Sequence, residues 1–97
     1  MHRNLTFASK NTSVDYFWAN PRVDALEDDW SIILNDWRER RLYLFEIEFG
    51  TKMDGDLVSR SDKPDFIDLQ ILADDSTFTD RRSGVSFMKY LVAKLDY

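Results

Sequence analysis

The chain reads as an α+β domain: an antiparallel, mostly meandering sheet of about 5–6 strands, a C-terminal amphipathic helix on one face, and a short helix near 21–29. Three observations predict it. Residues 31–36 and 41–49 read as two strands about a short connection, and apolar and polar residues alternate over 66–73, the period of a half-buried strand. Phe87, Met88, Leu91, Val92 and Leu95 recur at helical spacing. Asp outnumbers Glu fourteen to four, and Asp favours turns and caps where Glu favours helix interiors.

Taken in order, Leu5 and Phe7 alternate with polar neighbours, residues 9–13 are turn formers, and Val14, Tyr16 and Trp18 resume the alternation. That pattern predicts a β-hairpin over 4–18. Asn20-Pro21 opens a helix, because Asn caps free N–H groups and Pro is tolerated at the first helical position. Val23, Leu26 and Trp30 follow at i, i+3 and i+7, and Asp28 and Asp29 oppose the macrodipole where the helix stops. Strands 31–36 and 41–49 flank Trp37-Arg38-Glu39-Arg40, a hairpin connection. In the second of them Tyr43, Phe45, Ile47 and Phe49 share a fully apolar face, and Leu42, Leu44, Glu46 and Glu48 share a half-apolar one.

Asp54-Gly55 predicts a tight turn with positive φ, leading to a short strand near 56–60. Lys63-Pro64-Asp65 makes another turn, after which Ile67, Leu69 and Ile71 point inward and Asp68 and Gln70 outward. A loop from 74 to 77 runs on toward Ser83-Gly84. The C-terminal helix follows, capped by Ser83 or Ser86, with Lys94 complementing its dipole. Its apolar stripe demands a partner, and the apolar sheet face is the one available.

Ninety-seven residues make one domain, 1–97, which buries about two thirds of its surface and has a radius of about 12–13 Å. The composition, 43% apolar and 32% charged, is that of a folded soluble protein. The absence of cysteine excludes disulfides, thiolate catalysis and Cys-based metal sites. The start lacks the apolar run of a signal peptide, and the longest apolar runs are four residues, as at 16–19 and 42–45. A cytoplasmic protein without a membrane span is expected. The lone histidine, His2, leaves no Ser-His-Asp or Cys-His arrangement, and no G-x-G-x-x-G, P-loop or H-E-x-x-H occurs. No catalytic residue and no cofactor is therefore assigned.

Three sets of residues carry chemistry. Trp37, Arg38, Arg40 and Arg41 crowd the hairpin tip, and Trp and Arg are the residues most enriched at interface hot spots. Asp24, Glu27 and Asp28 belong to a stretch, 24–29, with four acids and no base, a display that steers basic protein surfaces. With a net charge of −5, the chain reads as a small acidic non-catalytic module, an inhibitor, immunity-type factor or complex subunit that binds a protein and self-associates through open sheet edges.

The competing reading is a metal-dependent phosphodiesterase. Glu46, Glu48 and Asp68 on neighbouring strands would offer oxygen ligands to Mg²⁺ or Ca²⁺. That pattern resembles restriction-endonuclease-like nucleases, yet the lysine expected two residues after the acid is replaced by Glu48 and Gln70. A third reading is nucleic-acid binding through Arg38, Arg40, Arg41, Arg81 and Arg82, which the overall acidity opposes.

Overall fold

The computed structural model describes residues 4–10, 13–74 and 76–97. His2, Asn11 and Thr12 of the predicted turn, and Asp75 of the predicted loop lie outside them. Among the described residues six strands form two sheets. β1 (Leu5–Ser9), β3 (Trp30–Asp36), β4 (Arg41–Ile47) and β6 (Leu91–Asp96) make a four-stranded sheet in the order β1-β3-β4-β6. β2 (Tyr16–Ala19) and β5 (Leu69–Leu72) make an antiparallel pair.

The hairpin of β3 and β4 forms where two strand segments and a short connection predict it, from Trp30↔Ile47 to Asp36↔Arg41. The hairpin over 4–18 does not form. β1 instead runs parallel to β3, Leu5 beside Ser31 and Ser9 beside Asn35, and among the described residues the two predicted arms are linked by an isolated Lys10↔Phe17 bridge. The chain leaves the large sheet after β1, lays β2 into the small one and returns, as a parallel pair requires a crossover. The expected meander is thereby replaced.

The C-terminal helix is also absent; among the described residues the only helical pieces are two 3-10 turns, Val23–Glu27 and Met88–Tyr90. Residues 91–96 are β6, antiparallel to β4, with a bulge between Leu44 and Phe45. The spacing of Phe87, Leu91 and Leu95 misled because a step of four suits both a helix face and a strand face. Strand formation satisfies the backbone groups of β4, whereas a helix lying across the sheet would leave that edge open. Met88, Val92 and Leu95, expected in the core, are exposed.

The helix near 21–29 shrinks to the five-residue turn Val23–Glu27, and Trp30 begins β3. Asn20 does not cap it. Its Nδ2 donates to the Ile67 carbonyl at 2.9 Å, tying the turn to the chain before β5. Residues 56–60 contribute one bridge, Ser59↔Ile67, rather than a strand.

The core lies between the two sheets. Ile32, Leu34, Tyr43, Phe45 and Ile47 face Phe17, Leu69 and Ile71, all buried. The segment between β5 and β6 fills the remainder with Phe78, Val85, Phe87 and Tyr90. Phe78 stacks edge-on against Tyr43 and Phe45, with ring centroids 4.9 and 5.1 Å apart. Phe49, predicted on the inner face, lies beyond the end of β4 and is exposed.

Candidate interaction surface

The predicted contact residues are split between the two ends of β3. Asp24, Glu27 and Asp28 are exposed around the first 3-10 turn, ahead of Trp30, while Trp37, Arg38 and Arg40 occupy the connection to β4. A seven-residue strand separates them by about 20 Å, so they form no common patch. The acids serve local geometry: Asp24 pairs with Arg22 at 3.3 Å, and Asp28 accepts the Asp29 N–H at 2.8 Å.

At the hairpin end, Arg40 has φ 53° and donates from Nε to the Tyr97 carbonyl at 2.8 Å. Its guanidinium also lies over the Tyr97 ring. Arg41 pairs with Asp96, which raises its guanidinium pKa above the ordinary range. Trp37 Nε1 donates to the Lys10 carbonyl at 3.1 Å, and Arg38 stacks on the Trp37 ring. These residues close the hairpin onto the ends of β1 and β6.

The proposed metal ligands are not brought together. Glu46 belongs to β4 and Glu48 follows it, both exposed, whereas Asp68 precedes β5 of the other sheet and is buried. Asp68 accepts Trp18 Nε1 at 2.7 Å, Arg82 at 2.8 Å and Gln70 Nε2 at 3.2 Å. Asp68 was expected to point into water; its three donors compensate its burial. Among the described residues no group of three or more His, Cys, Asp or Glu is placed to hold a metal ion. Arg81 and Arg82 sit after β5, apart from the hairpin-tip arginines in sequence and sheet, with Arg81 over the Tyr16 ring.

Sequence reasoning missed two features. The first surrounds the half-exposed Trp18. Arg60 stacks on its ring at 5.0 Å, donates to Asn20 at 3.2 Å and grips Asp62 through two nitrogens at 3.0 and 2.7 Å. That network is closed: each guanidinium nitrogen of Arg60 is bonded within the chain. Nothing in local spacing could have joined residues so far apart in sequence.

The second is the outward face of the four-stranded sheet. Register sets Phe7, Ile33, Leu44 and Ala93 in one row across all four strands. Ser9, Asn35, Leu42 and Leu95 form the next row, and Leu5, Ser31 and Glu46 the row on the other side. Trp37 and Tyr97 border it at the hairpin end, where Tyr97 Oη donates to Asn35 at 2.6 Å. Glu46 is the single charged side chain among those eleven positions. Sequence alternation had already placed Leu42 and Leu44 opposite the core; Leu5, Phe7 and Leu95 join them only through the unexpected strand order.

A groove of about 610 Å³ also opens between the first 3-10 turn and the segment after β4, lined by Leu26, Trp30, Ile47, Met53 and Leu57. It is an extension of the core wall. Among the described residues no helix is long and apolar enough to cross a membrane. No family model, curated protein or solved structure matches this chain.

Proposed function

We propose that the chain is a small non-catalytic module that works by binding protein, with the outward face of the four-stranded sheet as its contact surface. The observation that carries this reading is the size and neutrality of that face. Leu5 is 49% exposed, Phe7 58%, Trp37 46%, Leu95 57% and Tyr97 51%. With the half-buried Ile33, Leu42, Leu44 and Ala93 they present roughly 700 Å² of side-chain surface, above the 300–600 Å² of the largest patch on an ordinary monomer. A sheet exposes one face to water when that face is polar; here seven of the eleven positions are apolar, and covering them is favourable. Depletion of charge and enrichment in aromatics are what distinguish the centre of an interface.

A photoreactive residue at position 7, incorporated in the source cell, tests this. Covalent adducts to protein are expected from position 7 and from position 95, and none from position 24 on the acidic turn. Adducts equally abundant at all three positions, or absent from positions 7 and 95, would contradict the reading.

A further inference from the structure

Resting on the outward face as a binding surface, we infer that its occupant is a second copy of this chain, the two sheets stacked face to face as a symmetric dimer. Three arguments select a copy over other proteins. A twisted sheet face is best complemented by another sheet face, and sheets stack about 10 Å apart with interdigitated side chains. The chain supplies such a face itself, and a two-fold axis sets the same patch on both subunits.

Area is the second argument. Two such faces would bury roughly 1,400 Å² in total, inside the 1,200–2,000 Å² of specific stable interfaces. The third is charge. Two chains of net charge −5 repel over most orientations. Contact through a face whose rows hold a single charged side chain avoids juxtaposing like charges. A two-fold axis across the strands places Glu46 of each copy toward the hairpin end of its mate, where Arg38 and Arg40 lie, rather than toward the second Glu46.

Sedimentation equilibrium of the purified full chain reads the outcome. A reversible dimer is expected, weakened at least about 30-fold by Phe7→Glu and by Leu95→Glu. Arg81→Glu, beside the other sheet, should leave it unchanged. Circular dichroism confirms that each variant is folded. Should either face variant fail to fold, a mixture of isotope-labelled and unlabelled wild-type chain gives the same answer, with intermolecular NOEs expected at Phe7, Ile33, Leu44 and Leu95. A wild-type chain monomeric up to millimolar concentration, or a dimer whose NOEs fall elsewhere, overturns the inference. A monomer that still yields position-7 adducts with a different protein overturns the dimer while leaving the binding reading intact; a monomer without those adducts overturns both.

Discussion

Asp80 shows how one side chain organises a segment. It is fully buried, and its Oδ1 accepts the Gln70 N–H at 2.9 Å while its Oδ2 accepts the Ser83 hydroxyl at 2.6 Å and the Ser83 N–H at 3.2 Å. A buried carboxylate persists only when its lone pairs are met by donors, and these fix the turn that delivers Val85 and Phe87 to the core. Asp80→Ala leaves the donors unmet, and a loss of about 3 kcal/mol or more is expected by urea denaturation. A loss under about 1 kcal/mol would mean that water replaces the carboxylate freely. Asp62 is the exposed counterpart. Hydrogen bonding from Arg60 holds its pKa below the ordinary carboxylate value. Between the lowered and the ordinary value the unfolded chain binds more protons, so stability rises with pH there. The contribution is complete above the ordinary value and fades as pH falls through the lowered one. An NMR titration of the Asp62 carboxyl should return to the ordinary range in Arg60→Ala; an unchanged midpoint would assign the shift elsewhere.

Among the elements, those specified by neighbours in sequence were legible and those specified by distant strands were not. The β3–β4 hairpin needs only two apolar strand segments and a four-residue connection, both local. β6 was unreadable because its apolar spacing suits two periods and the deciding factor, the open edge of β4, lies fifty residues upstream. Likewise Asp54-Gly55 looked like a positive-φ turn. Gly55 is needed for space instead: a Cβ there would sit 2.9 Å from the Ser83 carbonyl oxygen. Gly55→Ala should therefore cost about 1–3 kcal/mol, read by thermal or urea unfolding. A neutral result would show that the backbone yields. Ala93, in register with Leu44, offers the complementary test of β6. Ala93→Val should be neutral or stabilising by up to about 1 kcal/mol, because β-branched residues suit a strand. In a helix the same change costs about 0.5 kcal/mol, so a destabilised Ala93→Val variant with a helical dichroism spectrum would contradict the strand. The candidate surface obeyed the same rule as the elements: Trp37 and Arg40 were visible at a hairpin tip, but the face they border needed four strands to be assembled first.

For the whole molecule the governing fact is how far apart the paired segments lie in sequence. β1 joins β3 at Leu5↔Ser31, β2 joins β5 at Tyr16↔Leu72, and β4 joins β6 at Arg41↔Asp96. The Cα radius of gyration is 12.5 Å, so this long-range pairing is packed as tightly as a domain of its length allows. Neither sheet can form alone to advantage. The inner face of β3 and β4 is covered only when β2 and β5 arrive, and Phe78 reaches Tyr43 and Phe45 only after the chain has passed β5. Loop closure must therefore precede most of the burial that rewards it. A helical C-terminus would have supplied early local contacts; a β6 that waits for β4 removes them. Refolding is expected in milliseconds to seconds with a single exponential, the range of chains dominated by non-local strand pairing. Stopped-flow tryptophan fluorescence reads it directly, since Trp30 is buried against Phe87 at 6.3 Å and reports closure of the core. Refolding in microseconds would require a nucleus of local contacts, which this strand order supplies only at the β3–β4 hairpin.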